Sequence, residues 1–363
     1  MSIELAAGVA RFLFSRGWTA ENGSDAFRPF RAPHTLRLEE DFRLLVPADP
    51  ERAGAEEFMT RSVTLLSELY SFDPGDLLIA LREDATVFTT RITDDLAEHG
   101  SLPLDRFDAL IDRLKKICLS AATSVLTDDP LDESDPQDAS DFIRSCSFLQ
   151  TRVGSFVSRI KLPNTFALGR TLENQEGVPG VAAAERVQGA LRLIFNDVLQ
   201  RADYIYERDF IEEHQDVMHV PLIRNIGFLL KDTEFQGFEF HFLATEDEAR
   251  LDPEPVGRGD VTHLRDYVRY VRDILAAGVP INLVGKVTEL RSRDVRSSNN
   301  HVRVRGYDRG LRREIDLALS LGRASYHEAV DAHGAGRNVE VVGTARRLKS
   351  YYKVDDLMSF RVV

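Results

Sequence analysis

The run INLVGKVTELRS, residues 281–292, decides how the last part of this chain folds. Ile281, Leu283 and Val287 fall on one side, with Gly285 between them, and Asn282, Lys286 and Thr288 alternate with that set. A period of two belongs to a half-buried strand. A glycine in mid-strand predicts a sharp bend, as the corner of a small barrel requires. Downstream, a polar loop over 293–300 leads into a second alternating run. There Val302, Val304 and Gly306 face one way, and Arg303, Arg305 and Tyr307 the other. Residues 312–320 place Ile315, Leu317 and Leu319 inward. Residues 324–332 have the helical spacing of Tyr326, Ala329 and Val330, and 337–348 and 354–363 read as two further strands.

Three strands, a helix and two strands resemble the OB-fold in topology over about the last quarter of the chain, without an invariant motif. The resemblance implies a ligand across strands two and three, flanked by the loop joining strands one and two and the loop joining four and five. Arg291, Arg293 and Arg296 fall at the first loop, and Arg346, Arg347, Lys349, Tyr351, Tyr352 and Lys353 at the second. Lys286 lies on strand one, and Arg303 and Arg305 on strand two. Cations follow a phosphate backbone and aromatic rings stack on unpaired bases. The candidate nucleic-acid-binding set is therefore Lys286, Arg291, Arg293, Arg303, Arg305, Arg346, Arg347 and Lys349, with Tyr351 and Tyr352 as stacking rings. A solvated Arg-rich face, or tyrosines packing the barrel end, is the plainer alternative for the same residues.

Charge divides the chain in the same place. The net charge is −13, yet residues 281–363 carry 16 Lys/Arg against 10 Asp/Glu. The preceding residues carry 30 Lys/Arg against 49 Asp/Glu. An acidic body with a basic end repels nucleic acid everywhere but at that end, and equally supports self-association, basic end against acidic body.

Upstream the pattern is that of an α+β protein. Helices are predicted over 3–16, 50–71, 74–81 and 104–126, with strands over 34–46 and 86–93 and a turn-rich connection over 27–33. Trp18 reads as a packing anchor. Residues 127–141, TDDPLDESDPQDASD, are acidic and nearly without apolar residues, and predict a solvated link. Alternation resumes over 148–162. Helices over 182–206, 221–230 and 261–277 surround a strand over 238–245. The two halves share an order of elements, so two structurally related α/β units are expected. The predicted organisation is 1–126, an acidic linker 127–147, 148–277, and the barrel 281–363.

Standard catalytic and metal-binding constellations are missing from the sequence: there is no phosphate-binding glycine loop, dinucleotide fingerprint, nucleophile elbow or H-E-x-x-H. His214 and His219, and His327 and His333, have spacings that do not share a helix face. Glu207, Asp209, Glu212, Glu213 and Asp216 cluster, and are read as a solvated helix face. Cys118 and Cys146 are read as structural thiols and fit a reducing, cytoplasmic compartment. No apolar run is long enough for a membrane span. No catalytic residue, metal or cofactor is assigned. Arg16-Gly17-Trp18 and QTRVGSF (150–156), with the OB-like tail, resemble uncharacterised actinobacterial proteins of this size, which implies a setting in multi-gene systems such as phage defence. The leading expectation is a non-catalytic nucleic-acid-binding accessory subunit, for single strands or ends. The alternatives are an adaptor that grips a protein partner or another copy of itself, and a metal-dependent nuclease built from scattered carboxylates.

Overall fold

A computed structural model describes residues 2–39, 41–93, 97, 101–150, 156–169, 177–292 and 300–363. Arg293, Arg296 and positions 151–155 of QTRVGSF lie outside the described residues. In chain order the elements begin α1 (Ser2–Ser15), β1 (Thr19–Ala20), β2 (Phe27–Arg31), β3 (Arg43–Pro47), α2 (Ala55–Tyr70), α3 (Pro74–Glu83), β4 (Ala85–Ile92) and α4 (Leu104–Leu126). There follow α5 (Gln137–Ser145), β5 (Ser147–Leu149), β6 (Phe156–Pro163), β7 (Ala167–Leu168), β8 (Val178–Pro179), α6 (Val181–Arg192), α7 (Arg208–Glu213), α8 (Val220–Thr233), β9 (Phe238–Leu243), β10 (Glu248–Leu251) and α9 (Arg258–Ala276). The last are β11 (Val279–Arg291), β12 (Asn300–Asp308), β13 (Arg313–Leu321), α10 (Arg323–Gly334), β14 (Val339–Arg347) and β15 (Tyr352–Val362). The chain divides into two units. One comprises Met1–Leu126, Ser134–Gln200 and Asn225–Thr262; the other comprises Thr127–Glu133, Arg201–Arg224 and His263–Val363.

In the first unit, Leu5, Val9, Phe12 and Leu13 recur on one side of α1 and are fully buried. The helix closes where Gly17 takes a φ of 80°, and Trp18 N–H donates to the Leu13 carbonyl at 2.9 Å. Trp18 is buried and its Nε1 donates to the Tyr70 hydroxyl at 2.8 Å, as expected of a packing anchor. The α3 helix starts with Pro74 in its first turn, and the Asp73 carboxylate accepts from Asp76 N–H at 3.0 Å.

Two expectations here are corrected. Within the connection expected over 27–33, Phe27–Arg31 form β2, the middle strand of the order β1-β2-β3. Pro29 brings no N–H, but its carbonyl accepts from Glu21 N–H, and Phe30 is buried. The strand predicted over 34–46 is confined to β3, because His34–Leu36 make a 3-10 turn that Arg37 closes with a φ of 48°.

A five-stranded sheet has the order β10-β9-β4-β6-β5. β4 is antiparallel to both β6 and β9, so Phe88 stands opposite Ile160 on one side and Phe242 on the other. The strands expected to belong to two separate α/β units thus share one sheet, and the described residues do not show the expected internal repeat. The long helix expected over 182–206 also divides. α6 ends at Arg192, a π-helical turn covers Leu193–Val198, and a 3-10 turn covers Asp203–Tyr206.

The second unit contains a closed barrel of order β11-β12-β13-β15-β14, consistent with an OB-like fold. β11 pairs with β14 through Val279–Gly285 and with β12 through Leu283–Arg291. The strand therefore passes from one partner to the other at Gly285, where the bend was expected. Gly285 stands directly opposite Gly306, and a Cβ on Gly285 would lie 2.2 Å from the Arg305 carbonyl oxygen, so the two backbones meet only without side chains. β13 and β15 run parallel and close the barrel, and α10 lies between β13 and β14 in sequence. The interior holds Ile281, Leu283, Val287, Val302, Val304, Ile315, Leu317, Leu319, Val339 and Val341, with Tyr326 and Ala329 of α10 packed on it. Among the described residues, no helix is long and apolar enough to cross a membrane.

The solvated link expected over 127–141 is corrected as well. Residues 137–141 begin α5, which buries Ala139 and Phe142. Thr127–Glu133 belongs with the barrel unit and is hydrogen-bonded within it: Pro130 O accepts from Val220 N–H at 2.8 Å and Asp128 O from Lys349 N–H at 3.2 Å. Arg224 also pairs with Glu133 at 2.9 Å. Composition alone predicted a free acidic chain; the basic groups it meets are distant in sequence.

Candidate nucleic-acid interface

The pleat sorts the barrel residues into two sets, because successive side chains of a strand point to opposite faces. Val302 and Val304 turn inward on β12, while His301, Arg303, Arg305 and Tyr307 are exposed. Strand register then lays the outward residues in rows. Lys286 stands opposite Arg305, which stands opposite Asp316 on β13. Glu289 stands opposite Arg303, followed by Ala318 and then Lys353 on β15. Arg291 stands opposite His301, and Val284 opposite Tyr307.

Lys286, Arg305 and Lys353 are exposed and make no ion pair among the described residues. Two cations facing each other across a strand pair repel, which costs stability. Such an arrangement is relieved by an anion lying across it. Arg303 differs: its guanidinium sits 4.5 Å above the Tyr351 ring, and its Nε is 3.4 Å from Glu289. Arg291 pairs with the other oxygen of the same carboxylate. Burial, followed by the field of Asp128, pushes the Tyr351 phenol above its ordinary pKa, so the ring is neutral at physiological pH. Tyr351, Arg303, Glu289, Arg291, Ala318 and Leu319 line a cleft of about 250 Å³.

The loop between β14 and β15 is committed elsewhere. Arg346 reaches Asp355 at 2.7 Å and Asp129 at 3.6 Å. Burial opposes its charge, but those carboxylates outweigh it and hold its pKa above the ordinary value. Arg347 donates to Glu212 at 3.0 Å. Lys349, nearly buried, lies 3.9 Å from Asp216. Tyr352 is 4% exposed, forms part of the barrel core, and accepts a hydrogen bond from Arg313. Its expected role as a stacking ring is corrected: Tyr352 opens β15 with its ring in the barrel core, and Tyr351, in the loop before it, lines the surface cleft.

The structure thus brings Lys286, Arg291, Arg303, Arg305 and Tyr351 together on one face. It ties Arg346, Arg347 and Lys349 to acidic partners and removes Tyr352. Arg293 lies outside the described residues. Sequence reasoning passed over Tyr307, 50% exposed at the end of the cation row, and Glu289 in the cleft. Alternation from Arg303 and Arg305 places Tyr307 on the same face, so its signal was present; that of Glu289 needs the register.

The acidic cluster over 207–216 does not simply spread round a solvated face. Glu212 is buried and accepts from Arg208 at 2.8 Å and Arg347, with Arg313 at 3.8 Å. Among the described residues, no group of three or more His, Cys, Asp or Glu is placed to hold a metal ion. His214 and His333 each meet a backbone carbonyl, of Phe210 and Val287.

Comparisons with protein-family models, with curated proteins and with solved structures found no match. They give no support to the expected link with actinobacterial proteins or defence systems.

Proposed function

We propose that the outward face of β11–β13 binds single-stranded nucleic acid, and that the protein acts as a non-catalytic accessory subunit. The observation that carries this reading is the three exposed cations Lys286, Arg305 and Lys353, on neighbouring rows and without an ion-pair partner among the described residues, beside two rings, Tyr307 and Tyr351. A groove of cations tracks a phosphate backbone, and rings accept any base because every base has a π-face. Duplex is disfavoured here, since the rings offer stacking that paired bases cannot use. The loop cations Arg346, Arg347 and Lys349 contribute less than their sequence position implied, being already neutralised.

The test is the salt dependence of binding to a labelled oligonucleotide, read for the wild type and for Lys286→Ala with Arg305→Ala. Each phosphate contact on a single strand contributes about 0.7 to the slope of log K against log salt. Losing two should flatten it by about 1.4. An unchanged slope with retained binding puts the interface elsewhere. Absence of binding favours the adaptor reading, in which the same face meets a protein.

A further inference from the structure

One group on the proposed face does not suit phosphate. Glu289 places a carboxylate in the middle of the cation rows, about one-third exposed, at the side of the cleft. It draws Arg291 and Arg303 to itself, so in the cleft two guanidiniums already share a carboxylate partner. Its walls are otherwise the Tyr351 phenol ring, the planar Arg303 guanidinium, the His301 imidazole, and the small or apolar Val302, Ala318 and Leu319. A carboxylate acceptor beside a flat wall describes a place for a base rather than for a phosphate.

We infer that this cleft is a nucleobase subsite that selects guanine, with Glu289 as the reading residue. The inference rests on the nucleic-acid reading of the same face. A carboxylate only accepts hydrogen bonds. The Watson–Crick edge of guanine presents two adjacent donors, N1–H and the N2 amino group, which match two carboxylate oxygens. Thymine and uracil present one N–H between two carbonyl oxygens, which a carboxylate repels. Adenine and cytosine present an amino group beside an acceptor nitrogen, so one oxygen is satisfied and the other opposed.

The present partners of Glu289 do not block this. Arg291 is 79% exposed, and exposed ion pairs contribute little net stability. One guanine donor takes the Glu289 oxygen that Arg291 holds, and Arg291 turns to the adjoining phosphate; the other donor shares the oxygen that Arg303 Nε approaches at 3.4 Å, since each carboxylate oxygen has two acceptor sites. Arg303 keeps its place over Tyr351 and supplies the planar wall.

The test is competition by unlabelled oligonucleotides against a labelled thymidine 15-mer, at fixed salt, with the full chain. The competitors are the thymidine 15-mer and versions with one central guanine, adenine or cytosine. The guanine version should compete about tenfold better, the lower end of what a bidentate contact gives. Glu289→Gln should abolish that preference, read as the ratio of guanine to thymidine competition, while binding the thymidine 15-mer at least as tightly as wild type, because the carboxylate that opposes thymine is gone. Arg291→Ala frees the carboxylate and should keep or raise the preference, which guards against a fold defect in the first variant. Equal competition by all four oligonucleotides, with binding retained, overturns the guanine subsite and leaves the nucleic-acid reading standing. A preference that survives Glu289→Gln overturns the role of Glu289. No binding of any oligonucleotide overturns both.

Discussion

Glu212 is predicted to hold the barrel unit together rather than to serve a ligand, and its removal is measurable. Its side chain is 6% exposed, and the guanidinium groups of Arg208, Arg347 and Arg313 lie at 2.8, 3.0 and 3.8 Å. In Glu212→Ala three cations remain with nothing between them. Breaking a buried ion pair costs about 3–5 kcal/mol. The arginines keep partial access to water, which screens their repulsion, so the lower end applies, about 3 kcal/mol. For a unit of this size that lowers Tm by roughly 10 °C. Glu212→Gln keeps the shape and one acceptor and should lose about half as much. The assay is scanning calorimetry, because the single tryptophan, Trp18, lies in the other unit and does not report on the barrel unit. If Glu212→Ala melts within 2 °C of wild type, the carboxylate does not tether Arg347. Arg347 then returns to the set of residues free to meet phosphate.

Two further outcomes follow from burial. Cys146 has its thiol pushed up to about 12, mainly by burial, and Cys118 is raised further by burial, so the thiolate is scarce at pH 8. Native protein should react with a thiol reagent at pH 8 far more slowly than denaturant-unfolded protein, and fast labelling of two thiols in the native state would refute this. His219 is held down to about 4 by burial, then by Lys349, against Asp132. The unfolded ring takes a proton as pH falls through 6.5 while the folded ring stays neutral to about 4. Stability is thus unaffected by this group above 6.5 and falls by about 3 kcal/mol toward pH 4. His219→Gln should flatten urea-unfolding stability across that window, and an unaltered pH profile would refute the assignment.

How much of this was legible in the sequence depends on the range of the interactions. The barrel was legible because alternation is local: Val302 and Val304 inward fixes Arg303 and Arg305 outward. Gly285 was legible as a special position because mid-strand glycine has a narrow set of uses, and the use found is close approach to Gly306. What failed was what depends on partners far along the chain. Thr127–Glu133 has the composition of a free link, and only the fold brings Asp129 to Arg346. Arg347 and Lys349 looked available for the same reason. Tyr351–Tyr352 is a different case. Both were read as loop residues, and the start of β15 at Tyr352 decides which ring packs into the core. Phe27–Arg31 was hidden by Pro29, which removes a donor but leaves a carbonyl that Glu21 uses.

The most direct test of the nucleic-acid reading is fluorescence anisotropy of a labelled single strand and its duplex with the wild-type chain, from 50 to 200 mM salt. The account predicts that the single strand binds more tightly than the duplex, and that its affinity falls steeply as salt rises. No binding at 50 mM, or equal salt-insensitive binding of both forms, would contradict it.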